Sequence, residues 1–380
     1  MSRILTNVLL VLVLAVACNS RHGVRRHHPA ALDSASQALS SAGAPAAAAT
    51  QLAARSTAPE RIERKGRAMG TTLDFIVYTN DAVDLEQAHA AIDRAIQEIE
   101  RLEGELSEWR PSSDVSRINE SEGKWVSVSR ETLDVIEKAQ SVARASGGAF
   151  DITFHTMGDL WKFGSAQGQN PVPPPEDEVR KRRALIDFRR VDIDAKSGRV
   201  RIANGRKIGL GGIAKGYIVD RAVATLRGAG LHSFVVQAGG DLYAAGHKPD
   251  GLKWSTSIQD PRAPEGDGFA TLELEDRALC TAGDYARAYV YQSKRYHHII
   301  DPRTGYPAVA SRSVSIDAPD ALTADMLDDA VFVLGPERGL ELVDRFEGVA
   351  AVIVDARNQV FVSPLLAGKV AIHRQPTEGL

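Results

Sequence analysis

The sequence predicts an α+β fold of mixed sheets flanked by helices. Period-two alternation marks strands at 73–78, 233–237 and 314–318. Apolar residues recur at helical spacing over 85–106, 132–146 and 323–334. The two kinds of segment interleave without the regular strand–helix alternation of a doubly wound parallel sheet. At 380 residues the chain has material for one large domain or two lobes sharing a core. A net charge of −3 gives no global basic field, so nucleic acid is not an expected partner. Its two cysteines, Cys18 and Cys280, cannot build a disulfide framework or a four-thiolate zinc site.

The first 18 residues read as an export signal. Met1-Ser2-Arg3 gives a positive start, and the apolar run from Val8 to Ala17 is short for a membrane span. Leu14-Ala15-Val16-Ala17-Cys18 resembles the lipobox of bacterial lipoproteins, with Leu one place early. This predicts a lipid anchor at Cys18 on the periplasmic side of a bacterial membrane. Cleavage nearby would instead release a soluble periplasmic protein. Residues 19–60 are rich in Ala, Ser, His and Arg and nearly free of large apolar side chains, so they read as a flexible tether. The folded domain is expected over 61–380.

Met69-Gly70-Thr71-Thr72 leads into the first predicted strand, and 85–106 is a long amphipathic helix. The polar loop 107–114 breaks it around one aromatic, Trp109, which is either a core plug or a stacking plate for a planar ligand. A second helix stops at Gly147-Gly148 and is followed by Ala149-Phe150-Asp151. Residues 171–175 form a proline-rich exposed loop, and 191–193 with 199–202 form a short hairpin.

Lys207-Ile208-Gly209-Leu210-Gly211-Gly212-Ile213-Ala214-Lys215-Gly216 runs from a strand through glycines into a helix. Such a turn lets backbone approach an anion at a helix N-terminus; it also serves a plain tight connection. Its glycine spacing is neither that of a P-loop nor that of a dinucleotide fingerprint. Strands over 233–237 and 254–259 end at Ala238-Gly239-Gly240-Asp241 and Asp260-Pro261-Arg262. Cys280-Thr281-Ala282-Gly283-Asp284 follows.

Alternation over 296–300 predicts a strand that sends His297 and His298 to opposite faces, ending in the turn Asp301-Pro302-Arg303-Thr304-Gly305. In the last predicted helix Asp325, Asp328 and Asp329 share one face at i, i+3 and i+4. They form either an exposed acidic face or a site for a cation. Apolar neighbours argue against full solvation, and hard oxygen ligands point to magnesium or calcium.

Taken in order, Met69-Gly70-Thr71, Leu106-Ser107-Glu108-Trp109, Gly148-Ala149-Phe150-Asp151, Gly211-Gly212-Ile213-Ala214-Lys215-Gly216-Tyr217, Ala238-Gly239-Gly240-Asp241, His297-His298-Ile299-Ile300-Asp301-Pro302-Arg303-Thr304-Gly305 and Ala324-Asp325 with Asp329 resemble the ApbE family. Its members are flavin transferases, also described as thiamine biosynthesis lipoproteins. The resemblance implies a magnesium-dependent reaction with FAD held in a cleft between two lobes. FAD is split at its pyrophosphate, FMN is joined to a Ser or Thr of an exported or membrane redox protein, and AMP leaves. It implies FAD contacts at Met69, Trp109, Ala149, Phe150, Asp151, Lys215, His298 and Ile299. The backbone at Gly212, with Asp325, Asp328 and Asp329, would hold magnesium. His298 is the expected acid–base residue, as an imidazole that exchanges a proton near neutral pH, and Asp284 the competing base.

The chain departs from many relatives at Gly209, where they carry Asp, and at Asp329, where they carry Thr. The rival readings are a magnesium-dependent FAD pyrophosphatase and a non-catalytic lipoprotein that stores FAD.

Overall fold

In the computed structural model, which describes residues 58–164, 168 and 171–380, the chain enters its main sheet at a hairpin. The predicted export segment with Cys18 and the tether up to residue 57 lie outside the described residues. β1 (Arg61–Ala68) and β2 (Thr71–Tyr78) pair antiparallel across Met69-Gly70. Both turn residues have positive φ, 53° and 70°, as a type I′ hairpin turn requires. β1 escaped the sequence reading because only Ile62 and Ala68 of its eight residues are buried.

α1 (Leu85–Leu106) begins with a reciprocal cap: the Asp84 carboxylate accepts the Gln87 N–H (2.9 Å), and Gln87 Oε1 accepts the Asp84 N–H (3.0 Å). Ala88, Ile92, Ala95, Ile99 and Leu102 form its buried stripe. α2 (Asp114–Asn119) and β3 (Val126–Ser127) follow. α3 (Arg130–Ala145) starts where Ser129 Oγ accepts the Thr132 N–H. A 3₁₀ helix, Ile152–Met157, and α4 (Glu176–Arg183) precede the hairpin of β4 (Val191–Asp194) and β5 (Arg199–Ile202), which β3 extends to a three-stranded sheet.

The glycine segment then enters α5 (Ala214–Gly228). Five strands come next: β6 (Phe234–Ala238), β7 (Asp241–Ala245), β8 (Trp254–Gln259), β9 (Gly268–Leu274) and β10 (Arg277–Gly283). Short strands β11 (Ala288–Tyr291), β12 (Lys294–His297), β13 (Ile300–Asp301) and β14 (Tyr306–Pro307) lead to β15 (Ser311–Ala318). The chain closes with α6 (Ala321–Leu334), α7 (Pro336–Val343), β16 (Ala350–Asp355), β17 (Val360–Val362) and β18 (Val370–Ile372).

The main sheet has eight strands in the order β1-β2-β6-β7-β10-β15-β16-β17. The α+β class with flanking helices holds, but the sheets are not mixed: every pairing among the described residues is antiparallel. Tight glycine turns at 69–70 and 239–240 permit this, since antiparallel neighbours need only a short reversal. Alternate side chains feed two apolar clusters. Phe75, Val236, Ile316 and Ile353 face α1, α5 and α6; Leu242, Leu279, Val352 and Val354 face β8 and β9. The described residues group as one compact unit. No described helix is long and apolar enough to cross a membrane.

Candidate active site

The site is built along the glycine segment, which three other parts of the chain hold in place. Gly209 N–H donates to the Ile152 carbonyl (2.9 Å), and Lys207 N–H to Thr156 Oγ1 (3.0 Å). Asn119 grips Ile208 from the other side: its Oδ1 accepts the Ile208 N–H (2.7 Å) and its Nδ2 donates to the Ile208 carbonyl (2.9 Å). With the backbone of 207–209 held by α2 and the 3₁₀ helix, the segment runs on into Gly211 and Gly212, which carry no side chains.

At the α5 end the acidic residues converge. Lys215 Nζ donates to Asp241 Oδ2 (2.6 Å) and Asp325 Oδ1 (2.9 Å), and Gly216 N–H donates to Asp325 Oδ2 (2.8 Å). Oxygens of Asp241, Asp325 and Asp328 lie within 4.8 Å of one another, all three residues being buried. Asp241 is the member the sequence reading did not assign. Its signal was present in Ala238-Gly239-Gly240-Asp241, whose two-glycine turn opens β7 with Asp241 opposite Ala238. Asp329 stands apart from this trio. Its carboxylate lies against Gly212, where a Cβ would come 2.7 Å from Asp329 Oδ2.

Burial, with neighbouring carboxylates adding to it, pushes Asp325 up to about 6 and Asp329 up to about 7, and raises Asp328 as well. Burial acts on Lys215 in the opposite sense, but Asp241 and Asp325 outweigh it and hold the ammonium above its usual range. One ammonium does not balance four carboxylates. The crowding of carboxylates, the hard oxygen donors and the glycine cradle beside Asp329 fit a small divalent cation.

The other end of the segment is aromatic. Trp109 is 78% exposed, so it is no core plug; its ring meets His155 edge-on at 6.1 Å between centroids. Phe150 packs against Gly212, its Cε2 lying 3.4 Å from where a Cβ would sit. Ala149 is buried, and Met69 is partly buried at the hairpin turn. The Asp151 carboxylate is used by the scaffold. It accepts the Thr153 N–H (2.8 Å), the Thr153 hydroxyl (2.6 Å) and the Phe188 N–H (2.8 Å), so it is not a free side-chain ligand. His155 was not singled out from sequence, because nothing local distinguishes a lone histidine inside a 3₁₀ helix.

The histidine pair differs from expectation in how it is divided. The strand is interrupted between β12 and β13, because His297 Nδ1 captures the Ile299 N–H (3.3 Å) that would continue the ladder. His297 Nε2 also lies 2.8 Å from the Ala308 carbonyl, making it the buried, hydrogen-bonded partner. His298 sits in the break with a buried Nδ1 that has no hydrogen-bond partner. Burial first, then Arg287, His297 and Lys215, push its imidazole down to about 3. This holds the ring in its neutral form. Ile299 is buried in the main cluster. Asp284, the competing base, is held by a two-pronged ion pair with Arg262 at 2.6 and 2.7 Å, which occupies both its oxygens.

Comparison with known proteins places the chain in a family. A model of the ApbE family matches residues 69–353. The FAD:protein FMN transferase of Treponema pallidum is 32% identical over 302 residues, covering 75% of this chain and 83% of the relative. That of Vibrio cholerae is 30% identical over 289 residues, covering 75% and 85%. Among solved structures, the ApbE protein of Thermotoga maritima superposes with a TM-score of 0.74 at 32% identity, covering 82% of this chain and 99% of that one. The apo flavinyl transferase ApbE of Pseudomonas stutzeri gives 0.71 at 28% identity, covering 83% and 98%. The chain belongs to the ApbE family.

Proposed function

We propose that this protein is an FAD:protein FMN transferase that moves FMN from FAD to a Ser or Thr hydroxyl of an exported or membrane redox protein. The observation that carries the reading is the layout along 207–216: an exposed aromatic plate at one end, a half-buried ammonium held by carboxylates at the other, and a glycine backbone between. This suits a dinucleotide whose rings stack and whose pyrophosphate lies near Lys215.

Asp325, Asp328 and Asp329, with the backbone of Gly212, would hold magnesium. When bound, the ion neutralises phosphate charge and orients the pyrophosphate. Lys215, fixed by Asp241 and Asp325, reaches the phosphates as a positioned cation. We assign the proton of the acceptor hydroxyl to His298, whose buried Nδ1 has no hydrogen-bond partner among the described residues. That oxygen then bonds to the FMN phosphorus, the bond from this phosphorus to the bridging oxygen breaks, and AMP departs. Residues 1–18 support an exported protein, lipid-anchored at Cys18 on the periplasmic side; a Cys18→Ala variant recovered wholly in the soluble fraction would bear out the anchor.

The test combines the protein with FAD, magnesium and a Thr-bearing acceptor, read by intact mass spectrometry while AMP is followed. An acceptor that gains FMN, and ceases to with EDTA, establishes the transferase. AMP and free FMN without labelling, using an acceptor already proven with a relative, would establish a pyrophosphatase. FAD bound but uncleaved would establish storage.

A further inference from the structure

The structure assigns to His155 a ligand-binding role: with Trp109 it forms a corner that takes the edge of a heteroaromatic ring, and Gly209 is its seat. This rests on the FAD reading above and deepens it.

Three observations place the ring. A Cβ at Gly209 would lie 3.0 Å from Cβ, Cγ and Nδ1 of His155, so the imidazole fills the space a side chain at 209 would take. The Ile152–Gly209 and Thr156–Lys207 hydrogen bonds flank His155 in sequence and lock its helix to the glycine segment, so the juxtaposition is built rather than incidental. Trp109 stands at the edge of the same ring.

The chemistry then follows from what the imidazole lacks. Neither His155 ring nitrogen has a hydrogen-bond partner among the described residues, and the half-buried ring leaves them open to a ligand. Burial holds the group below its ordinary range against the pull of Glu108, so the ring is neutral. A neutral imidazole offers one donor and one acceptor, in a plane across from an exposed indole. Flavin and adenine edges both present such complementary donors and acceptors, and an indole face stacks with either. A carboxylate reaching the same space would offer acceptors only.

The test is a double-mutant cycle on binding of FAD, read by Trp and flavin fluorescence in magnesium-free buffer. His155→Ala should weaken FAD about tenfold, the loss of one or two buried hydrogen bonds, while melting within a few degrees of the parent. His155→Asn, which keeps a donor and an acceptor, should recover part of this. Gly209→Ala should weaken binding in the parent by displacing the ring and have little further effect in the His155→Ala background. FMN and AMP, titrated separately, identify which ring is held: the mononucleotide that loses affinity in His155→Ala carries it. Parent protein that binds FAD while His155→Ala binds FAD, FMN and AMP equally well would overturn the inference. Additive Gly209 and His155 effects would overturn the seat. A parent that binds no FAD would defeat the underlying reading instead, so the two failures are distinguishable.

Discussion

Gly216 and Ala321 approach so closely that a Cβ on Gly216 would lie 2.2 Å from the Ala321 carbonyl oxygen and 2.7 Å from Asp325 Cβ. This contact joins the start of α5 to the start of α6, and it is what brings Lys215 and Asp325 within hydrogen-bonding reach. Asp220, one turn further along α5, accepts the Ala321 and Leu322 N–H groups at 2.8 and 2.9 Å, capping α6 from its neighbour. The two helices are thus a single device for pairing an ammonium with carboxylates.

Gly216→Ala should therefore force α5 and α6 apart. The strain of overpacking is about 1–3 kcal/mol, and Gly216 N–H would lose its hold on Asp325. We expect a lower melting temperature together with loss of FMN transfer larger than the melting shift explains. A variant that folds, melts normally and retains full transfer would show that the helix contact does not set the site.

How much of this was legible in sequence depends on whether the signal was local. The stripe of α1, the face shared by Asp325, Asp328 and Asp329, and the glycine entry to α5 are all periodic or compositional, and could be read directly. β1 could not, because its buried residues are too few to show a period among its charges. Asp241 and His155 join the site only through tertiary placement: one at a hairpin end in the middle of the main sheet, the other against a glycine far along the chain. His298 was found for its residue type, but its low proton affinity comes from burial, which no motif encodes.

Metal binding and pH should be linked with a definite sign. Asp325 and Asp329 sit at about 6 and about 7, above their unfolded values, so the metal-free folded state keeps protons that the unfolded chain has released. Their contribution to stability is present at acid pH, below the unfolded carboxylate range, and is lost as pH rises through about 6 to 7. For EDTA-treated protein this contribution favours a higher melting temperature near pH 5 than near pH 8. Magnesium should raise the melting temperature more at about pH 8, because it binds the deprotonated carboxylates. An equal magnesium shift at both pH values would count against a carboxylate site.

Asp241 holds Lys215 from the sheet side, and Asp241→Asn removes one of the two charges that fix the ammonium. Losses on removing such supporting groups are typically about 10–100-fold in metal affinity or activity. We expect transfer to fall in that range, with more magnesium needed for half-maximal rate. Unchanged magnesium dependence with normal transfer would make Asp241 a structural residue only.

The last prediction separates a scaffold role for Asp284 from a catalytic one. Arg262 and Asp284 have side chains only 8% exposed each, and their guanidinium and carboxylate match two hydrogen bonds to two oxygens. Removing one partner strands a buried charge, a loss of about 3–5 kcal/mol. Arg262→Ala and Asp284→Ala should each melt far below the parent, and the double variant should lose less than their sum, because it leaves neither charge unpaired. Transfer per folded molecule should survive in the double variant. If Asp284→Asn instead melts like the parent while transfer disappears, then the Asp284 carboxylate, and not His298, takes the hydroxyl proton.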